Sequence, residues 1–421
     1  LPSELFNMLA NAGQIADELG CKAYCVGGFV RDLIMKVKNF DVDLVVEGDG
    51  IALARALGEN LGGKVRVHER FRTAVVSLAG GYKIDVATAR TEFYEFPAAL
   101  PMVERSSVKE DMYRRDFTIN ALALQLNADN FGALIDYFGG RRDIENRYIR
   151  ILYNLSFIED PTRILRAIRF EQRYQFTIEP DTLRFAIDAI ERRLLGKLSY
   201  KRILTELILI LNEADPVPAL FRMRDIGVWK YIFPEIRLER LDPDTLRRIP
   251  VLLSWWQSMF MDRPIKSWLV YLQFCFAAIS VEEEETVVER YGMERTARRV
   301  IAEAREVADI LRVIENESAI TPGRLDRLLK GFADETMCYL LLNLHDVDKW
   351  LLVERYLEER DQARLEINGR DLKALGIIPG PQYKEIMDEL HELKLDGVIN
   401  GRRDEIDRLK MWIEEGRVVT Q

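Results

Sequence analysis

Apolar positions in the first 140 residues follow two rhythms. Short apolar runs at residues 23–26, 41–46, 73–78 and 83–87 predict strands, and helical periodicity covers residues 5–19 and 51–61. Leu134-Ile135-Asp136-Tyr137, followed by Gly139-Gly140, closes this region with a further strand and a turn. Beyond residue 155 strand signals fade. Amphipathic helical patterns then dominate, for example at residues 203–211, 302–313 and 383–395. The predicted fold is α+β: a small mixed-sheet head followed by a long helical remainder. Pro216, Pro218 and Ile377-Ile378-Pro379-Gly380-Pro381 mark expected boundaries. No internal repeat or low-complexity tract stands out.

Bulk numbers narrow the class. A chain of 421 residues exceeds one compact core, so two to four domains are expected. Globular composition is indicated by 48% hydrophobic and 31% charged residues. The longest apolar runs are too short for a membrane span, so none is expected. Leu1-Pro2-Ser3-Glu4 carries no basic leader, and without an initiator Met the chain reads as a piece of a longer protein. Cys21, Cys25, Cys275 and Cys338 are scattered, which predicts a reducing cytoplasm and no disulfide framework. Cys21 and Cys25 have no matching Cys or His pair, so zinc is not expected. The net charge of −9 argues against a surface coated with nucleic acid but leaves room for a local basic patch.

The chemistry concentrates in three places. In Val26-Gly27-Gly28-Phe29-Val30-Arg31-Asp32 a strand runs into a Gly-Gly turn and a helical start that carries Arg31. Gly27 and Gly28 lack Cβ atoms, so their amides can approach a phosphate closely. Asp41 and Asp43 follow, two apart on a strand and therefore on one face. Two adjacent carboxylates call for a cation, and Mg²⁺ suits hard oxygen ligands shared with substrate phosphates. Asp85 lies on another strand; beside Asp41 it could join the metal site or accept the proton of an attacking hydroxyl.

In Arg114-Arg115-Asp116-Phe117-Thr118-Ile119-Asn120 the paired arginines suit a triphosphate, and Asp116 and Asn120 suit ribose hydroxyls. The third place is Glu159-Asp160-Pro161-Thr162-Arg163-Ile164-Leu165-Arg166. Either Ser156 and Glu159 form a capping box, or Asp160 caps a helix with Pro161 in its first position. Asp160 and Arg163 then lie on one face, with Arg166 close by. An Arg in a first helical turn opposes the helix dipole, a mild penalty that a ligand for Arg163 would explain.

The Gly-Gly turn followed by Asp-x-Asp resembles the nucleotidyltransferase superfamily that includes DNA polymerase β. The three constellations, in order, resemble class II tRNA nucleotidyltransferases: CCA-adding enzymes, their A-adding and CC-adding branches, and poly(A) polymerases. The resemblance is firm over residues 23–210. It weakens in the middle and returns at Asn368-Gly369-Arg370-Asp371-Leu372, Gly376 and Pro379-Gly380-Pro381.

It implies a polymerase-β-like head at residues 1–140, a helical neck at 141–215, a body at 216–355 and a tail at 356–421. It also implies that Asp41 and Asp43 bind the metals and that Arg114 to Asp116 contact triphosphate and ribose. Asp160 and Arg163 would act as a protein template, bonding the edge of incoming ATP or CTP. Cytosine and adenine both present an amino group beside an acceptor, and a carboxylate with a guanidinium complements that pair. Residues 90–111 would form the loop tied to addition of the final A, with Ala in Pro97-Ala98-Ala99-Leu100-Pro101 where many members have Gly. Tyr200-Lys201-Arg202 resembles the family's last motif, whose Arg braces the neck.

Arg192, Arg193, Lys197, Lys201 and Arg202 make the neck locally positive, suited to acceptor-stem phosphates. The expected activity is therefore a cytoplasmic, Mg²⁺-dependent addition of the terminal A, or of all of CCA, to tRNA from ATP and CTP. A poly(A) polymerase and a non-catalytic tRNA-binding protein are the alternatives. His345-Asp346 lacks the further His ligands of a metal phosphohydrolase, and Trp255-Trp256 reads as helical core.

Overall fold

The computed structural model describes all residues except 94, 95, 97, 99–101 and 421. Two compact units divide the chain, Leu1–Pro234 and Glu235–Gln421. The first holds the mixed sheet. Helix α1 (Ser3–Glu18) buries Leu5, Met8, Leu9, Ala12, Ile15 and Ala16, the three-four spacing of a single apolar stripe. Strand β1 (Lys22–Val26) is buried along all but its first residue, as a strand covered on both faces must be. Helix α2 (Gly28–Ile34) follows the glycine turn, and β2 (Val42–Glu47) runs antiparallel to β1.

Asp49 then caps α3 (Gly50–Leu61) by accepting from the amides of Ile51 (3.0 Å) and Ala52 (3.1 Å), and Gly62 ends it in the left-handed region at φ 65°. Strands β3 (Lys64–His68), β4 (Thr73–Ser77) and β5 (Lys83–Thr88) make an antiparallel run. Strand β5 lies parallel to β2, with Asp43 directly opposite Asp85.

A separate hairpin pairs β6 (Arg90–Phe93) with β7 (Met102–Arg105) and leads to α4 (Val108–Tyr113). Ser107 and Glu110 form a capping box at the start of α4. The segment expected as a loop at 90–111 is thus a hairpin and a helix over much of its length, while the Pro97-to-Pro101 departure lies, apart from Ala98, outside the described residues. Strands β8 (Ala123–Gln125) and β9 (Leu134–Ile135) complete the sheet, whose order is β3-β4-β5-β2-β1-β8-β9.

Helix α5 (Gly140–Glu145) and strand β10 (Tyr148–Ile149) lead into a helical region. It contains α6 (Ser156–Glu159), α7 (Thr162–Tyr174), α8 (Pro180–Glu191), α9 (Tyr200–Leu211), α10 (Val217–Asp225) and α11 (Trp229–Ile232). The fading of strands after residue 155 needs one correction. Residues Thr177–Ile178 pair in parallel with Tyr148–Ile149, a ladder too short to leave a periodic signature.

The second unit is helical, from Pro243–Met259 to Arg402–Glu414. Trp256 is buried in it, as expected of core. Ile367, Leu372, Ile386, Leu390, Leu409 and Trp412 form a core towards its C-terminal end. Asn368 and Asp371 form a capping box there, so that phrase has a local structural job. Asp346 likewise caps the helix Val347–Glu359. No helix among the described residues is long and apolar enough to cross a membrane.

Candidate active site

The end of β1 sets the floor of a cleft of about 480 Å³. Gly27 turns the chain at φ 69°, ψ −131°, and a Cβ built there would lie 2.7 Å from Arg115 Nη1. Its amide donates to Leu122 (3.1 Å) and its carbonyl accepts from Arg31 (3.1 Å), so the turn is locked on both sides. The cleft is lined by Gly27, Gly28, Arg31, Asp43, Arg114, Arg115, Asp116, Asn120, Asp160, Arg163 and Arg166. Residues spread over 140 positions of sequence thus meet at one place.

The carboxylates occupy the sheet face above the turn. Asp41 immediately precedes β2, and its amide donates to Asn39 Oδ1 at 2.9 Å. Asp41, Asp43 and Asp85 are all exposed. Solvent reaches Asp43, yet the protein packed around it withdraws enough water to raise its carboxyl above the ordinary range. Arg115 opposes that rise, and Asp85 and Asp41 add to it by repulsion. Among the described residues no three His, Cys, Asp or Glu side chains gather closely enough to enclose an ion by themselves. The carboxylates instead offer hard oxygens on one open side, which suits a divalent cation that completes its shell with water and phosphate.

The Arg-Arg-Asp motif is a network. Arg114 donates to Asp111 Oδ1 (2.7 Å from Nη2), to Glu92 (2.9 Å) and to the Arg90 carbonyl (3.2 Å), which ties the hairpin to α4. Arg115 donates to Asp111 Oδ2 at 3.1 Å, while its buried Nε has no partner among the described residues. A buried guanidinium nitrogen left unpaired beside a glycine turn is fit to meet a phosphate oxygen. Asp116 is filled: Oδ1 accepts from the Phe117 amide (2.8 Å) and Asn120 Nδ2 (2.9 Å), and Oδ2 from Arg166 Nε (2.9 Å) and Nη2 (2.6 Å). Burial alone would raise its pKa, but Arg166 and Asn120 hold it below the ordinary range. Arg31 donates to Asn120 and Asp32, and stacks over the Tyr174 ring at 4.6 Å.

The start of α7 settles the capping alternatives. Asp160 is extended (φ −133°), Pro161 is already helical, and Asp160 Oδ1 accepts from the Thr162 amide at 3.0 Å. Ser156 instead accepts from Arg163 Nη1 at 2.6 Å, and Glu159 from the Tyr153 hydroxyl. Arg163 is 4% exposed and donates also to Tyr153 (3.2 Å) and the Arg114 carbonyl (2.7 Å). The ion-pair partner of Asp160 is Arg202 at 2.8 Å rather than Arg163.

The basic neck separates into two groups. Arg192, Arg193, Lys197 and Lys201 are exposed around the junction of α8 and α9, with Arg192 paired to Asp188 at 2.9 Å. Arg202 departs from the expected phosphate-facing set. The first turn of α9 aims it inward, where it binds Asp160 and the Ala98 carbonyl (3.1 Å).

Sequence reasoning missed Glu92, Thr162, Phe170 and Glu206, which also line the cleft. Glu206 bridges Arg166 (3.4 Å) and Arg169 (3.6 Å). Both partners lie on another helix, so no local spacing marked Glu206.

Residues 23–150 match the family model described as poly A polymerase head domain, and residues 175–239 match that of a probable RNA and SrmB-binding site of polymerase A. An A-adding tRNA nucleotidyltransferase of Geobacter sulfurreducens is 38% identical over 96% of this chain, which spans 47% of that protein. One of Halalkalibacterium halodurans is 32% identical over 96% of the chain and 92% of its own length. A solved apo CCA-adding enzyme is 36% identical, with TM-score 0.80 over 98% of this chain and 96% of that one.

Proposed function

The chain belongs to the class II tRNA nucleotidyltransferase family, and from that premise we propose that it adds the terminal A to the 3′ end of tRNA from ATP. CTP joins as a second substrate if the enzyme builds the whole CCA end. The register that sets Asp43 opposite Asp85, on the side of the sheet that opens to the arginine-lined cleft, is the observation that carries this reading.

In the reaction the tRNA 3′ oxygen bonds to the α-phosphorus of the nucleotide and the bond to the β-phosphate breaks, releasing pyrophosphate. Gly27 and Gly28 let the triphosphate approach the backbone, and Arg115 Nε is free to meet it. Asp41 and Asp43 would hold Mg²⁺, which supplies charge neutralisation along the phosphates. Asp85 is placed to take the proton of the attacking hydroxyl or to help hold the metal. Asp160 and Arg163 face the base. The exposed Arg192, Arg193, Lys197 and Lys201 are the proposed contacts to acceptor-stem phosphates. The cytoplasm goes with this reading as the place of action.

Both relatives named above as A-adding support A addition over poly(A) synthesis. The decisive assay offers tRNA ending before CCA, or after CC, with CTP or ATP separately in Mg²⁺. A single A on the CC end is expected; long A tracts on unrelated RNA would favour a poly(A) polymerase. Asp41→Ala should abolish transfer with the fold intact, and near-normal turnover by that variant overturns the reading.

A further inference from the structure

The sheet that carries Asp43 and Asp85 has one covered face and one open face across β3, β4 and β5. Helix α3 packs on all three strands. Gly58 of that helix lies so close to β3 that a Cβ there would stand 2.3 Å from Val65 Cγ2. Val65, Val76 and Ile84, which pair across the strands, therefore point towards α3, and their neighbours along each strand point away. On the open side Asp43, Asp85, Val75 and Arg66 form one row, and Lys83, Ser77 and Lys64 form the next. Lys64, Arg66, Ser77, Lys83 and Asp85 are all exposed. Beyond Asp85 these paired positions bring no further carboxylate to this face, and none of the three cations is ion-paired among the described residues. Three cations on one face without a counter-ion suit an anionic partner.

The reaction says which anion. In an in-line displacement the attacking oxygen and the leaving pyrophosphate lie on opposite sides of the α-phosphorus. The glycine turn that receives the phosphates ends β1, on one side of β2, and β5 lies on the other. The attacking hydroxyl therefore arrives from the β5 side, and the chain behind it has β4 and β3 to cross. We infer that this open face is a track for the single-stranded 3′ end of the RNA, with Lys83, Arg66 and Lys64 contacting its phosphates. This rests on the reading that Asp41, Asp43 and Asp85 form the catalytic centre. At about 4.8 Å between strands, the backbone of Arg66 stands about 10 Å from that of Asp85. Val75 and Ser77 between them are short, so a strand of RNA can lie close to the sheet. Cations that meet only phosphates position the RNA without reading its bases.

The test uses the double variant Lys64→Gln with Arg66→Gln, and leaves Lys83 in place because it neighbours Asp85. Affinity is measured for tRNA ending in CC, across a salt series, and for the same tRNA trimmed back to the last base pair of its acceptor stem. Binding of ATP is measured alongside. The double variant should bind the CC-ending tRNA roughly three- to thirtyfold more weakly, the scale of two exposed charge contacts. Its salt slope should become shallower by about 1.4, at about 0.7 for each single-strand phosphate. The trimmed tRNA and ATP should bind parent and variant alike, and Arg66→Lys, which keeps the charge, should stay near the parent. If the double variant does not fold, each single variant carries the same test with half the change in slope.

Unchanged affinity and salt slope for the CC-ending tRNA would overturn the proposal while the parent's transfer activity keeps the catalytic reading in place. An equal loss on the trimmed tRNA would put the duplex stem on this face and also overturn it. A loss confined to ATP would make these cations part of the nucleotide site, with the same result. A parent that transfers no nucleotide to tRNA removes the catalytic reading itself, and the proposal with it.

Discussion

Gly27 and Gly28 look interchangeable in the sequence and should behave differently when each is replaced by Ala. At Gly27 the backbone sits at φ 69°, ψ −131°, a conformation that costs an L side chain about 1–3 kcal/mol. The new Cβ would also stand 2.7 Å from Arg115 Nη1. That guanidinium has to move, which disturbs its 3.1 Å bond to Asp111, a charged hydrogen bond worth about 1.5–3 kcal/mol. Partial relief of the clash brings the expected loss for Gly27→Ala to about 3 kcal/mol. Gly28 is the first residue of α2, and its Cβ would meet the flexible end of the Arg31 side chain, nearest at Nη2 (3.4 Å), an ordinary contact. Ala gains up to about 1 kcal/mol over Gly in a helix, so Gly28→Ala should stay within about 1 kcal/mol of the parent. Urea unfolding followed by a probe in the first unit measures both. Both variants should lose ATP affinity, because each puts a methyl group where phosphate approaches. Equal stabilities for the two, or a larger loss at Gly28, would refute the geometry assigned to the turn.

Asp43→Asn tests the crowded carboxylates through stability. The folded pKa of Asp43 is raised, so its ionised form opposes folding once pH rises through the window between the unfolded and folded values. Without divalent metal Asp43→Asn should therefore be more stable than the parent at pH 7. The gain should vanish below the ordinary Asp range, and added Mg²⁺ should stabilise only the parent; melting curves at pH 3 and 7 with and without Mg²⁺ decide it. Arg163→Ala removes donors to Ser156, Tyr153 and the Arg114 carbonyl, so it should cost about 2–4 kcal/mol of stability as well as relaxing nucleotide choice. Unchanged preference among ATP, CTP, UTP and GTP would move the base-reading role elsewhere.

The parts of the site that were legible are those carried by short stretches. The Gly27 turn and the Asp41–Asp43 pair need only strand alternation and glycine's freedom, both local properties. The alternation Lys64-Val65-Arg66-Val67-His68 escaped notice because β3 lies at the sheet edge, where charged residues interrupt the apolar run. Strand β8 was hidden inside the motif around Asn120. Arg202 carried two expectations, a brace of the neck implied by the resemblance and a phosphate contact read from the basic stretch, and its inward bonds to Asp160 and the Ala98 carbonyl go with the first. Its partners lie 42 and 104 positions away, and a basic residue in a basic stretch gives no sign of which way it points. The missed Glu206 belongs to the same class: its ion pairs with Arg166 and Arg169 exist only once α7 and α9 pack together. Long-range polar partners are chosen by tertiary packing, which hydrophobic periodicity does not record.

The parallel ladder between β2 and β5 has a consequence for how this head can vary. Backbone hydrogen bonds fix Asp43 opposite Asp85, and a slip of one residue would turn Asp85 to the other face and bring Ile84 or Val86 beside Asp43. The 35 residues between the end of β2 at Glu47 and the start of β5 at Lys83 contain α3, β3 and β4, and none of them lines the cleft. Insertions and deletions in the turns of this excursion therefore leave the two carboxylates facing each other, provided the five paired positions from Val42–Ile84 to Val46–Thr88 are kept. The peripheral strands can lengthen, shorten or acquire new surface contacts while the spacing of Asp43 and Asp85 stays under the control of the ladder.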